Sequence, residues 1–497
     1  MRVRGRRGWA TTGQLALALL LTLLASSAVA QIGQFTTQSL FFNQAGNAHR
    51  GNYIEADAGG VYNDNIYLRP TDAQGDTLVM IGLLADTEHQ SPRLDYRLDS
   101  DISLVKYLQG DFKTQPFGYL DGFAEYWFAP GFFSWTVRDT YNQLAIAQYA
   151  PLTPDNLESI NYFTTGPRFR LKPTLRTTVQ IDGVYSLVNS SSNSPLYVNV
   201  DNHRYGGVIT VSQAVSSTLS GFVTGTYNDV KFKNTAENTD FTSAAVMGGI
   251  RLEDARTVLN VSGGYQRLHT TSVVTEESAI GEVERTQEET PSGVTWQADL
   301  SRLIRPTQRV SLHALRQISD AANLFRLNFD QPVGSSVGNQ IVTGEPFTYT
   351  SYGATYRFQY DRTSFQVDLL DATTHYQSTS TVNNGNQKVV SALFARQLTP
   401  VLSWDVGAAY TRGYYGSQTG ASKLINALAS LYWQLGARFR LRFVYAYGET
   451  SPNGYTNNQI GVFGYYALTA PGRGTAQAEE TPELGPVAPM SAPPTLR

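Results

Sequence analysis

The stretch from Lys423 to Gly448 alternates apolar and polar residues with a period of two, and it constrains the fold more than any other part of the chain. From 425 to 435 every second residue is apolar, and Asn426, Ser430 and Gln434 are among the residues between them. Successive side chains of a β-strand point to opposite faces. The pattern therefore predicts a strand with one apolar face and one mixed or polar face.

A second two-sided segment follows a short turn at 436–438. Its apolar face carries Phe439 and Phe443, whereas Arg440 and Arg442 lie on the other face. A soluble sandwich would bury such an apolar face in its core. A long aromatic face opposite arginines is instead typical of a transmembrane barrel strand, with lipid outside and water inside.

The same alternation recurs along the chain and places charged residues repeatedly on one face. Unpaired charges do not lie in a dry core, so this face is expected to be hydrated. The predicted pore lining comprises Arg93, Asp95, Arg97, Asp99, Asp101, Asp182, Asp299, Arg357, Asp405, Arg440 and Arg442. Two interpretations stay open: these residues line a hydrophilic path of both charge signs, or they pair across the lumen and only stabilise its wall.

Short and long connections between the strand-like segments alternate in the sequence. Short ones include 90–92 and 305–307, and long ones include 269–292, 319–344 and 449–457. Outer-membrane barrels combine short periplasmic turns with longer extracellular loops. We therefore predict an all-β, transmembrane, antiparallel up-and-down barrel of about 20 strands, in a range of roughly 18 to 22, over residues 52–468. A barrel of about 20 strands leaves an aqueous lumen unless loops fold into it.

The first residues have the pattern of a secretory signal peptide. Four arginines precede an apolar run from Leu15 to Leu24, and small residues reach Ala30. Cleavage after Ala30 would change the formal charge from −3 to −7. Residues 31–51 are then a short periplasmic lead, and the Pro- and Ala-rich residues 469–497 are a disordered periplasmic tail.

Composition limits which partners, cofactors and covalent modifications are expected. The chain has no cysteine, so neither disulfides nor lipoprotein acylation is expected. An acidic net charge argues against a nucleic-acid partner. Scattered histidines lack metal-ligand spacing, and no phosphate-binding or dinucleotide motif is present, so no metal and no cofactor is predicted.

One pair of residues raises an enzymatic alternative. Ser311 and His313 share a face of one strand, but no third, orienting group is apparent in the sequence, and the triad mechanism needs all three. We therefore predict no catalytic residue. The segment from Glu276 to Glu289 holds six glutamates and is interpreted as a solvated acidic loop, with divalent-cation binding as the alternative.

The first strand and its loop carry a motif in which Tyr62, Asp64, Asn65, Leu68 and Pro70 match a Tyr-x-Asp-Asn-x-x-Leu-x-Pro pattern. The chain resembles the porin-like outer-membrane β-barrel family associated with exopolysaccharide and exosortase-type gene sets. That resemblance implies a conduit for secreted polysaccharide, docked to a periplasmic polysaccharide-export partner. It supplies no catalytic residues.

We therefore expect a non-enzymatic pore in the outer membrane of a Gram-negative cell, passively conducting exopolysaccharide. A general or small-solute porin and an outer-membrane enzyme that modifies lipid or polysaccharide are the alternatives. The expected partners are outer-membrane lipid and lipopolysaccharide at the outer wall, and polysaccharide or a small hydrophilic solute in the lumen.

Overall fold

A computed structural model describes residues 52–109, 112–145, 157–192, 199–234, 238–278, 281–320, 345–376, 384–415, 421–451 and 454–469. The predicted signal peptide, the periplasmic lead to residue 51 and the tail from residue 470 lie outside the described residues. Within the described part the secondary structure is β-strand, turn and bend, and it contains no helix.

The strands follow one another from Tyr53 to Ala467. The first eleven are β1 Tyr53–Asn63, β2 Asp76–Gln90, β3 Leu94–Tyr107, β4 Gln115–Ala129, β5 Phe133–Ala145, β6 Leu157–Leu171, β7 Thr177–Ser191, β8 Asn202–Ala214, β9 Leu219–Phe232, β10 Asp240–Asp254 and β11 Thr257–Ser278. The others are β12 Gly281–Glu289, β13 Ser292–Arg305, β14 Gln308–Ser319, β15 Phe347–Tyr360, β16 Thr363–Tyr376, β17 Gly385–Thr399, β18 Leu402–Tyr415, β19 Ser422–Gln434, β20 Phe439–Ser451 and β21 Thr456–Ala467.

Neighbouring strands pair antiparallel, and β1 pairs with β21, so the sheet closes on itself. β12 is the exception because it pairs only with the outer half of the long strand β11, while β13 pairs with its inner half. The wall therefore contains 20 strands, and the predicted barrel is confirmed. Closure leaves no unpaired strand edge in the wall, which is the condition for β-structure to cross a lipid bilayer.

Connections at the two ends of the barrel differ in length. At one end, called the turn end, they span two to five residues, as at 91–93 and 306–307. At the other, the loop end, most are longer, and 320–346 is the longest. Two predicted loops differ from expectation: 269–292 contains the β11–β12 ribbon, and β20 and β21 are joined by only four residues.

The two faces of the strands are separated as predicted. Trp433 and Phe443 are 45% and 39% exposed on the outer face, and Tyr352, on the same face as Tyr356, is 55% exposed. Arg442 is 6% exposed on the inner face. The apolar residues therefore form the outer wall, and the polar residues face the lumen.

Pro167 interrupts the ladder between β6 and β7. Pairing with β7 runs to Thr165 and resumes at Arg168, so Gly166 and Pro167 pair with β5 but not with β7. Proline has no backbone N–H to donate, which accounts for the local gap. β6 nevertheless continues through this gap to Leu171.

Candidate functional site in the barrel lumen

The predicted lining residues lie on the inner face, mostly toward the turn end. Arg93 is the exception, because it belongs to the turn that precedes β3. The other ten are Asp95, Arg97, Asp99 and Asp101 on β3, Asp182 on β7, Asp299 on β13, Arg357 on β15, Asp405 on β18, and Arg440 and Arg442 on β20. Whether solute passes among them stays a prediction.

Several of these residues pair with charged groups that were not predicted. Asp121 on β4 accepts hydrogen bonds from Arg97 at 2.8 Å and from Arg138 at 3.0 Å. The sequence signal for such partners is weak, because β4 and β5 have glycines, aromatics and hydroxyl residues between their charges. These contacts support the wall-stabilising interpretation for part of the lining.

Two further arginines connect strands around the same belt. Arg168 on β6 contacts Asp182 at 2.7 Å and Glu125 at 3.2 Å, so one guanidinium joins β4 to β7. Arg440 on β20 reaches Glu55 on β1 at 2.9 Å, across β21. This last contact crosses the seam at which the chain closes the barrel.

Three aspartates on adjacent strands are not neutralised by arginine in this way. Asp57 on β1, Asp86 on β2 and Asp101 on β3 form no ion pair with any described residue. Asp99, opposite Asp86, accepts a hydrogen bond from the Tyr119 hydroxyl at 2.9 Å. The charged belt thus combines paired charges with a patch of excess negative charge.

Toward the loop end the inner face beside the seam is apolar instead. The loop-end cluster comprises Val61, Ile66, Leu78, Met80, Val105, Tyr107, Phe117, Leu428, Val444, Ala446 and Phe463. Ile66 belongs to loop 64–75, so this loop folds inward and packs on the inner wall. The lumen is therefore narrowed on that side by a described segment of the chain.

The motif after β1 anchors this inward loop to the closing strand. Asn65 is 2% exposed; its Nδ2 donates to the carbonyls of Arg69 at 2.8 Å and Thr456 at 2.9 Å. Asp64 accepts from the backbone N–H and the Nδ2 of Asn458, both at 2.7 Å. Asn and Asp commonly order turns through such side-chain to backbone hydrogen bonds. In this chain the motif fixes the loop and the β1–β21 seam together.

A second inward segment lies on the opposite side of the lumen, at the end of β14. Pairing between β13 and β14 stops at Arg316, while β14 continues to Ser319 beside β15. The freed backbone of Ile318 bonds to the side-chain amide of Gln266 on β11. The Ile318 carbonyl accepts from Gln266 Nε2 at 2.9 Å, and the Ile318 N–H donates to Gln266 Oε1 at 3.2 Å.

The end of β14 is also held by a buried ion pair with β8. The guanidinium of Arg204 donates to both oxygens of Asp320, at 2.9 and 2.6 Å, and both side chains are less than a tenth exposed. The Arg204 guanidinium also lies over the Tyr162 ring, 5.4 Å from its centre. Paired, fork-like contacts of this type fix geometry as well as charge.

The proposed catalytic pair gains a third group in the structure. Asp299, directly opposite His313 in the register, lies 2.5 Å from its Nδ1, so an orienting carboxylate is present that the sequence did not reveal. The Ser311 hydroxyl, however, donates to Ser301 at 3.3 Å. In a triad the serine would instead be bonded to the histidine.

Two features are absent from the described residues. No group of three or more histidine, cysteine, aspartate or glutamate side chains there has an arrangement suited to a metal ion. That part of the chain also contains no helix long and apolar enough to cross a membrane.

A closed ring of two-sided strands, with an apolar exterior and a charged and polar interior, defines the fold of a transmembrane β-barrel. No protein-family model matches the chain, and no curated protein matches it. Similar solved structures include the ferric citrate transporter FecA in the unliganded form, with 9% identity, coverage of 84% of this chain and 79% of that chain, and a TM-score of 0.47.

Two further similar structures come from Neisseria meningitidis and Acinetobacter baumannii. The FrpB iron transporter from Neisseria meningitidis shares 8% identity, covers 87% of this chain and 83% of its own, and gives a TM-score of 0.44. OccAB4 from Acinetobacter baumannii shares 9% identity, covers 86% of this chain and 99% of its own, and gives a TM-score of 0.34. These are similarities of barrel fold alone and assign no cargo.

Proposed function

We propose that this protein is an outer-membrane pore that passively conducts exopolysaccharide out of the cell, without catalysing a reaction. The observation that carries the proposal is the separation of faces: apolar side chains cover the outside of a closed ring, and hydrogen-bonding and charged side chains line its inside apart from the apolar clusters toward the loop end. A barrel of this strand number encloses a space wide enough for hydrated solute where no segment fills it.

The orientation follows the rule for such barrels. The turn end faces the periplasm and the loop end faces the outside. The charged belt then lies near the periplasmic entrance, at the end of the barrel where β1 begins and β21 ends. A periplasmic polysaccharide-export partner would dock at this end, while lipid and lipopolysaccharide contact the outer wall.

Two features favour polysaccharide as the cargo. The motif around Asp64 and Asn65 resembles that of barrels found with exopolysaccharide gene sets, and here it holds the narrowing loop. Away from the charged belt, the inner faces of β8 to β13 are lined mainly by hydroxyl and amide side chains. Groups of these kinds hydrogen-bond to sugars.

A small-solute porin is the second candidate, because the same polar lumen and inward loop suit a size-restricted channel. Deleting the gene separates the two. Loss of an exopolysaccharide conduit leaves polymer trapped inside the envelope and reduces surface polysaccharide, with uptake of small sugars unchanged. Loss of a porin slows solute uptake and leaves surface polysaccharide at the wild-type level, a result that would contradict the export proposal.

The enzymatic alternative is retained because Asp299 orients His313. Substituting Ser311→Ala and His313→Ala separately tests it in the complemented deletion strain. We expect surface polysaccharide and lipid composition to match the wild type in both. A loss common to both variants, with normal barrel assembly, would instead indicate catalysis.

A further inference from the structure

A large cavity occupies the side of the lumen opposite the apolar seam. It lies against the inner faces of β6 to β11 and β13, and the inward end of β14 covers it. The space within its lining, including open solvent at its mouth, is about 1500 Å³. We call this space the chamber.

Fourteen of the 29 residues that line the chamber are serine, threonine, asparagine or glutamine, which have neutral hydrogen-bonding side chains. They are Ser186, Ser212, Ser220, Thr224, Thr226, Asn228, Ser243, Asn260, Ser262, Gln266, Thr295, Gln297, Gln317 and Ser319. This composition differs from the charged belt at the turn end. A solute with many hydroxyl groups and little charge fits such a surface, because each hydroxyl both donates and accepts hydrogen bonds.

Most of the charge in the lining is compensated. Arg204 and Asp320 neutralise each other, and Arg251 contacts Glu253 at 3.1 Å. Arg316 is the remaining charged residue of the lining. One arginine among fourteen neutral polar side chains favours a neutral ligand over a polyanion, which needs several cationic contacts.

Three polar atoms in the lining are orphaned. The Oδ1 of Asn260, the Oγ1 of Thr295 and the Nε2 of Gln317 have no hydrogen-bond partner among the described residues. Thr295 and Gln317 are only 2% and 6% exposed. An unsatisfied buried polar group costs about 1–3 kcal/mol, so a partner that enters the chamber would recover this free energy. Together they offer an acceptor, a hydroxyl and a donor.

An aromatic side chain completes the surface. Phe222 on β9 lies on the inner face, directly opposite Ser212 in the register, and is half-buried. Phe241, in contrast, is packed into the apolar cluster at the loop end of these strands. The Phe222 side chain can therefore pack against the apolar C–H face of a sugar ring while neighbouring polar groups bind its hydroxyls.

We propose that the chamber is a binding site for a neutral, hydroxyl-rich saccharide, with Thr295, Gln317 and Phe222 as the main contacts. The inference rests on the proposed pore function and specifies its substrate class. It predicts that a neutral oligosaccharide occupies the lumen on the β8–β14 side and interrupts ion current while bound.

The test uses the full-length chain in planar bilayers, with maltohexaose as the neutral probe and oligogalacturonate as the acidic one. We expect maltohexaose to block the current of the wild type in a concentration-dependent manner. The Thr295→Val/Gln317→Met double variant removes two polar contacts and should raise the half-blocking concentration about tenfold or more. Phe222→Ala should raise it as well.

Thr411→Val is the matched control, because Thr411 faces the lumen on β18, outside the chamber. It should leave the half-blocking concentration within about twofold of the wild type, as expected for a site that makes no contact with the ligand. Heat-modifiable migration on gels confirms that each variant is a folded barrel.

Calorimetry on the detergent-solubilised protein separates the two proposals. If channels conduct but maltohexaose neither blocks nor binds, or if the acidic oligomer binds more tightly, the saccharide site is wrong and the pore stands. If no current is seen, the pore is wrong, and calorimetry still decides the site: binding that is weakened in the double variant but not in Thr411→Val supports it, and any other result overturns it.

Discussion

Arg204 on β8 and Asp320 at the end of β14 form a buried, two-pronged ion pair, although four wall strands separate β8 from β14. The contact is possible because the end of β14 leaves β13 and bends into the lumen, where Gln266 holds its backbone. The ion pair therefore ties the chamber's cover to the far wall.

Removing the Asp320 carboxylate should release this cover. Asp320→Ala leaves the Arg204 charge buried without its partner, and breaking such a pair by one side costs about 3–5 kcal/mol. We expect a lower temperature for the heat-induced gel shift and a larger single-channel conductance.

The double variant Arg204→Met/Asp320→Leu is the control. Replacing both members of a buried pair by apolar residues is often neutral for stability. Its gel-shift temperature should return to within a few degrees of the wild type. Unchanged conductance and stability in Asp320→Ala would show that the ion pair does not hold the cover.

The seam motif gives a second prediction. Asn65→Ala removes two donated hydrogen bonds and one accepted from Arg69, at about 1 kcal/mol each. The barrel should lose about 3 kcal/mol of stability toward urea. Thr71→Ala, at an exposed position of the same loop, is the matched control and should have no measurable effect. Equal stability of the two variants would refute a role for the motif in closure.

The excess carboxylates at the turn end predict cation selectivity. Asp57, Asp86 and Asp101 concentrate negative charge on one wall, which raises the local concentration of cations. In a potassium chloride gradient the reversal potential should favour potassium, and Asp86→Asn/Asp101→Asn should shift it toward zero. Asp361→Asn, in an exposed turn, should leave the reversal potential unchanged. An anion-selective wild type would contradict the charge distribution.

Strand alternation was sufficient to predict the wall of this barrel. The exposed Trp433 and the inward Arg442 are where the period-two pattern puts them, because one face of each strand meets lipid and the other meets water. The β11–β12 ribbon was not predicted, because the sequence at 270–289 shows no regular alternation of apolar and polar residues.

The lumen contents were not predictable in this way. Ile318 has the same strand parity as Leu312, which is 45% exposed on the outer face, so alternation alone directs it outward. Its actual contact depends on Gln266 of a non-adjacent strand. Arg204 and Asp320, 116 residues apart, likewise meet only after the barrel closes.

Two adjacent alanines offer a matched test of the lipid-facing wall. Ala408 is exposed on the outer face in the middle of β18, and Ala409 faces the lumen. Arginine at the bilayer midplane on the lipid face costs about 2–4 kcal/mol. Ala408→Arg should therefore destabilise the folded barrel in bilayers by about this amount, whereas Ala409→Arg should cost less than about 1 kcal/mol.

The most direct measurement is thiol labelling of Ala408→Cys and Ala409→Cys in outer-membrane vesicles. The chain contains no cysteine, so each variant carries a single reactive thiol. A charged, membrane-impermeant maleimide should label Cys at 409 through the lumen and leave Cys at 408 unlabelled until detergent removes the lipid. Labelling at 408 with protection at 409, in intact vesicles, would contradict a lipid-facing exterior around a hydrated lumen.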